Sequence, residues 1–241
     1  MPPSAGSPPP DRASSGLAGP FGRRLRAIGR LVRSALHALH GLALVEFVFP
    51  RIDAAGRQRH VARWSRGLLE ALGIGLEVDG KPADGPVLVV ANHVSWLDIA
   101  AIHSFCPAAR FVSKSEVGRW PLVGRLVGAA GTLYLERSSR RDARRVLHRI
   151  VAALAAGDTI AVFPEGTTGD GRRTLPFHAN LLQAPLAAGR PVQPIALRYR
   201  DAFDATSGAA RFIGETMLVQ SLWRLACGEA VVVRATVLPA R

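Results

Sequence analysis

Val87-Leu88-Val89-Val90-Ala91-Asn92-His93-Val94-Ser95-Trp96-Leu97-Asp98 is an apolar run that ends in polar residues, with a histidine just past its end and a carboxylate five residues further on. A short, uninterrupted stretch of β-branched and aliphatic residues reads as a strand buried on both faces, the kind found in parallel sheets. The interval from His93 to Asp98 is awkward for a single helix, because 100° per residue sets the two side chains about 140° apart. Ser95 is a good N-cap and Asp98 holds the capping-box position three residues on. A helix is therefore expected from Trp96, with the turn between His93 and Ser95. A loop plus half a helical turn brings imidazole and carboxylate together. In that geometry Asp98 accepts the Nδ1–H of His93, sets its tautomer and leaves Nε2 free as a base. The plainer alternative is a helix-capping aspartate beside an ordinary loop histidine.

Outward from this stretch, strand-like and helix-like segments alternate. Strands are expected at 76–78, 87–91, 110–112, 132–135, 159–163, 192–199 and 231–237. Helices are expected at 57–73, closed by Gly73, and at 96–105, 142–156 and 181–188, with Gly157 stopping the third. The alternation predicts an α/β fold with a mostly parallel central sheet flanked by helices. In such sheets ligands bind at the carboxyl ends of the strands, where His93 falls.

The N-terminal residues differ in kind. Residues 1–20 are rich in Pro, Ser and Gly, lack apolar periodicity and read as a disordered tail. Residues 21–56 are expected to form a basic, then apolar, membrane-interacting helical segment, and 57–241 the globular domain. Arg23, Arg24, Arg26, Arg30 and Arg33 interleave with Leu25, Ile28, Leu31 and Val32, and an apolar run over 35–49 follows, interrupted by His37, His40 and Glu46. That run alone is short and polar for a span of roughly 20 apolar residues. The glutamate and the long leader argue against a signal peptide. An interfacial helix fits, its arginines meeting anionic headgroups; a helix packed on the domain is the alternative.

The 241-residue chain carries a net charge of +13. A basic surface suits nucleic acid, anionic lipid or a phosphorylated substrate, but an arginine-rich genome produces the same balance. No nucleic-acid-binding motif or aromatic-interleaved basic patch is present, and no nucleic-acid partner is expected. Cys106 and Cys227 form neither a CxxC pair nor a His/Cys cluster, so no structural metal or disulfide scaffold is expected.

Two further constellations carry chemistry. Phe163-Pro164-Glu165-Gly166-Thr167 ends a buried strand: proline ends the ladder, glycine permits a sharp turn, and Glu165 emerges at the edge that holds His93. Gly131-Thr132-Leu133-Tyr134-Leu135-Glu136-Arg137 is a glycine, a short strand and an arginine able to hold a phosphate by paired hydrogen bonds. No GxSxG elbow exists, so the chain offers no serine-hydrolase nucleophile, and the base is left to activate a substrate's hydroxyl.

Asn-His-x4-Asp, Gly-x3-Leu-x-Arg, Phe-Pro-Glu-Gly-Thr and Val192-Gln193-Pro194-Ile195, in this order over roughly residues 60–200, resemble the four motifs of the 1-acylglycerol-3-phosphate acyltransferases. The resemblance implies O-acylation of a lysolipid at the cytoplasmic face of the inner membrane by a peripheral or monotopic enzyme. The acyl donor would be acyl-CoA or acyl-carrier protein, with no other cofactor. It implies that His93 is the general base and Asp98 its partner, and that Arg137 binds phosphate. Glu165, Gly166, Thr167 and Gly131 would belong to the acceptor site, Lys114 would stand near the headgroup, and Pro194 would be a packing proline. One departure stands out. Many members carry arginine after Phe-Pro-Glu-Gly-Thr, whereas Thr168 follows here, with Arg172 and Arg173 nearby. Thr167-Thr168-Gly169-Asp170-Gly171 is similar to the lyso-ornithine lipid acyltransferase branch, whose acceptors lack phosphate.

Overall fold

The computed structural model describes residues 20–135 and 140–241. The expected tail lies outside the described residues except for Pro20, which opens the first helix. Strands β1 (Ile74–Asp79), β2 (Leu88–Ala91), β3 (Ala109–Lys114), β4 (Leu133–Leu135), β5 (Thr159–Val162), β6 (Val192–Arg200) and β7 (Val231–Val237) form one sheet ordered β1-β7-β6-β2-β5-β3-β4. Every neighbouring pair is parallel except β6 and β7, so the expected α/β class and mostly parallel sheet are what the chain adopts. The helices are α1 (Pro20–Ala43), α2 (Ala54–Ala71), α3 (Leu97–His103), α4 (Ser115–Gly118), α5 (Val123–Ala129), α6 (Arg140–Ala155), α7 (Gln183–Ala188) and α8 (Leu218–Cys227).

β2 lies between β5 and β6 and is buried along its whole length. Its alternating side chains feed two cores. Val87, Val89 and Ala91 join Leu69 and Leu72 beside α2, Leu97 and Ile102 of α3, and Leu225 of α8. Leu88 and Val90 join Val146, Ile150 and Leu154 of α6 and Ala184 of α7 on the opposite face. Fully burying such a side chain contributes about 1.5–3 kcal/mol, so a strand apolar on both faces is stable only between two helical layers.

The expected start of the globular domain at residue 57 lies within a helix. Asp53 Oδ1 accepts the N–H of Gly56 at 2.7 Å and starts α2 at Ala54, so the boundary falls inside that helix. The basic and apolar stretches join without a break, continue through a π turn (Leu44–Val48) and a 3₁₀ turn (Phe49–Arg51), and Phe21–Arg51 becomes long and apolar enough to cross a membrane by length and composition.

α1 has two unlike faces. Its inner face, with Ala27, Ser34 and Gly41 buried, packs on α2 and α8. Gly41 lies against Trp64, where a Cβ would sit 2.3 Å from the indole nitrogen. The Arg30 guanidinium donates to the carbonyls of Leu225, Ala226 and Gly228 at 3.0–3.3 Å, satisfying groups that the end of α8 leaves open. On the outer face Phe21, Leu25, Ile28, Val32, Leu36 and Leu39 are all exposed, at the three- and four-residue steps of one helical stripe.

Candidate active site

β2 ends at Ala91 while β6 continues beside it. Asn92 bridges the divergence: its Nδ2 donates to the Leu197 carbonyl at 2.9 Å and its Oδ1 accepts the Leu197 N–H at 2.7 Å. The side chain thus adds one rung that the departing backbone no longer supplies. The His93 carbonyl accepts from Gly169 N at 2.7 Å, and the Val94 carbonyl from Phe212 N at 3.1 Å, which fixes the loop from two sides.

His93 Nδ1 stands 2.7 Å from Asp98 Oδ2, as the loop-to-helix spacing predicts. The ring is 19% exposed and the carboxylate 0%. The imidazole stacks on Phe163 with centroids 3.9 Å apart and planes 8° apart. One edge of the ring is therefore tied to Asp98 and one face to Phe163. The nitrogen opposite Nδ1 is the one able to meet a substrate.

The cap differs from expectation. α3 begins at Leu97, and the Ser95 hydroxyl is buried without a hydrogen-bond partner among the described residues. Asp98 does reach back from the capping-box position, its Oδ2 accepting the N–H groups of Ser95 at 3.0 Å and of Val94 at 2.7 Å as well as His93. A carboxylate reaching back from the first turn satisfies two loop donors at once, with charge-assisted bonds stronger than a neutral serine hydroxyl makes. Its other oxygen, Oδ1, accepts the Tyr199 hydroxyl at 2.7 Å. Tyr199 belongs to none of the sequence motifs. Its only signal in the sequence is an inward position on β6, in step with Ile195 and Leu197.

Glu165 follows β5 and reaches the same edge, buried at 6% exposure. Its Oε1 accepts the backbone N–H of His93 at 2.8 Å and its Oε2 that of Leu175 at 2.8 Å. The carboxylate implied to face an acceptor is thus turned onto backbone, where it ties the histidine loop to the loop that follows β5. Gly166 takes φ +71°, and a Cβ there would lie 2.9 Å from His178 Nε2, so the turn and the close approach both require glycine. Thr167 is exposed on this turn. Lys114 ends β3 and is exposed at the carboxyl edge, two strands from β2.

Other expected site residues are placed differently. Gly131 precedes β4, away from the carboxyl edge, with φ +81° and its carbonyl accepting from Arg110 Nε at 2.9 Å. Pro194 pairs with Val90 inside the sheet, and its carbonyl accepts from Leu238 N at 3.0 Å. Arg137 lies outside the described residues. The Thr168 hydroxyl donates to the Phe212 carbonyl, while the guanidinium groups of Arg172 and Arg211 each stand 3.6 Å from Asp204. Among the described residues no cluster of three or more His, Cys, Asp or Glu side chains is arranged to hold a metal ion.

A buried carboxylate, a stacked imidazole and a strand's carboxyl end are an arrangement chemically capable of taking up a proton. Comparison with known proteins agrees in kind. The 1-acyl-sn-glycerol-3-phosphate acyltransferase of Neisseria meningitidis serogroup B is 39% identical over 181 residues, 74% of this chain and 70% of that protein. The lyso-ornithine lipid O-acyltransferase of Pseudomonas aeruginosa is 39% identical over 213 residues, 86% of this chain and 81% of that protein. The crystal structure of the 1-acyl-sn-glycerophosphate acyltransferase PlsC from Thermotoga maritima shares the fold, with a TM-score of 0.66 over 92% of this chain and 86% of that one at 21% identity. With residues 76–198 also matching the sequence model described as Acyltransferase, the chain belongs to the acyltransferase family.

Proposed function

We propose that the protein transfers a fatty acyl chain from acyl-CoA or acyl-carrier protein to the free hydroxyl of a lysolipid, with 1-acyl-sn-glycerol-3-phosphate as acceptor and phosphatidate as product. The observation that carries this reading is the 2.7 Å contact between a stacked His93 and a fully buried Asp98 at the carboxyl end of β2. His93 Nε2 takes the proton of the acceptor hydroxyl as its oxygen attacks the thioester carbonyl. The new C–O bond forms, the C–S bond breaks, and the proton passes from the imidazolium to the departing thiolate. Asp98 stabilises the imidazolium, and because the acceptor's own hydroxyl attacks the thioester no acyl-enzyme forms. General-base catalysis of this kind contributes on the order of 10²–10⁴ in rate. Arg137 and Lys114 are the cations assigned to the acceptor headgroup.

A second acceptor has its own support. Thr168, where many relatives have arginine, is engaged with the Phe212 carbonyl, and Arg172 pairs with Asp204. This corner lacks a free cation at position 168, which favours a phosphate-free acceptor such as lyso-ornithine lipid.

The outer stripe of α1 fits the interface of the inner membrane's cytoplasmic leaflet, with the arginines beside it reaching anionic headgroups. The test is purified protein with labelled acyl-CoA or acyl-carrier protein against lysolipids with and without phosphate. Labelled diacyl product from one acceptor class is expected; absence of product from every lysolipid would sink the reading.

A further inference from the structure

We propose that Tyr199 is a positioning residue for the reaction, the third member of a Tyr199–Asp98–His93 relay that sets how basic His93 is. This inference rests on the reading of His93 as general base.

The geometry is specific. Asp98 is 0% exposed, and its two oxygens are divided between different tasks. Oδ2 accepts from His93 Nδ1, Val94 N and Ser95 N, whereas Oδ1 accepts from the Tyr199 hydroxyl at 2.7 Å. Tyr199 is 1% exposed and is among the largest fully buried side chains, so its hydroxyl has no bulk water to bond instead. Burial, the Asp98 charge and the hydrogen bond to it all push the Tyr199 phenol well above its ordinary value, which keeps it protonated and a donor.

The fold explains why this residue can reach. β2 ends opposite Ile195, but β6 runs on to Arg200, paired beyond that point with β7. Tyr199 therefore occupies the space beneath the loop into which β2 has turned, on the inward face shared with Ile195 and Leu197. Its own carbonyl accepts from Ser207 N at 2.9 Å, which holds the strand end in place.

A donor on Oδ1 draws negative charge away from Oδ2. The imidazolium of His93 is then stabilised less than by an unshared carboxylate. Removing the donor leaves the charge on the oxygen that faces His93 and raises the histidine's affinity for a proton.

The test is the pH profile of kcat/KM for acyl transfer. Tyr199→Phe keeps the ring and removes only the donor. The acid limb is expected to move up by about one pH unit. Incorporating 3-fluorotyrosine at position 199 preserves the shape and strengthens the donor, so the limb is expected to move the other way. This second variant covers the case in which Tyr199→Phe folds poorly. His93→Ala, run in parallel, separates the two layers. An inactive His93→Ala with an acid limb unmoved by fluorotyrosine overturns the relay alone. Retained turnover in His93→Ala overturns the base assignment and the relay with it.

Discussion

Two regions of this molecule break the usual distribution of polar and apolar residues, in opposite directions. Around β2 the chain buries a carboxylate, a tyrosine hydroxyl and Glu165, and each bonds a named partner. Along α1 it does the reverse and leaves six large apolar side chains in the open, Phe21 at 75% and Leu36 at 61% exposed. Burying an ionised group is costly unless it is hydrogen-bonded, and the corner meets that condition within the chain. An apolar stripe facing away from the domain has no such remedy among the described residues and marks a surface that an apolar phase would cover. The first departure is self-contained chemistry. The second is an unmet requirement, and it points to a lipid surface.

Substitutions can break this contrast. The largest effect is expected from His93→Ala, which should lower acyl transfer by on the order of 10²–10⁴ with an unchanged thermal melt; a smaller loss would mean that another group takes the proton. On α1, Leu36→Ser should weaken binding to anionic vesicles by about 2 kcal/mol, roughly thirtyfold, without altering secondary structure. Unchanged flotation with vesicles would remove the outer stripe as the membrane contact. Glu165→Gln presents an amide where two backbone N–H groups require acceptors, so it should cost about 1–3 kcal/mol of stability in denaturant titrations. It should also lower kcat while leaving the acceptor KM in place; a selective rise in acceptor KM would return Glu165 to the acceptor site.

The smallest effect at neutral pH concerns His103 at the far end of α3. Its Nε2 donates to the Ala109 carbonyl at 2.9 Å, and burial lowers its pKa to about 4. The unfolded chain binds a proton near 6.5, so between about 6.5 and 4 the unfolded state holds more protons than the folded one. Stability should therefore be full above that window and fall as pH drops through it, by about 2 kcal/mol near pH 5. His103→Gln should flatten this slope in urea titrations from pH 4 to 7; an undiminished slope would assign it to other groups.

Much of this was legible in the chain because the relevant signals are local. Seven strand positions follow from apolar runs and their breaks, and the His93–Asp98 contact follows from five residues of spacing read against the turn between them. The less legible features all depend on which distant group fills a given space. β7, last in the chain, enters between β1 and β6 and runs antiparallel to β6, which no local period encodes. Asp98 reaches back to the Ser95 N–H as its capping-box position predicts, but its further bond to the Val94 N–H and the idle Ser95 hydroxyl follow from the folded loop, which propensity does not weigh.

The sequence by itself therefore determined the α/β class, the alternation of elements, the His93–Asp98 pair and the family to which the chain belongs. Tertiary structure alone decided that Tyr199, 101 residues from Asp98, completes that carboxylate's hydrogen bonds, that Glu165 holds backbone, and that the apolar stripe of α1 points outward. The physical reason is one of range. Side-chain periodicity and capping act over a few residues, whereas satisfying a buried charge or covering an apolar face requires partners that only the assembled sheet and its helices bring together.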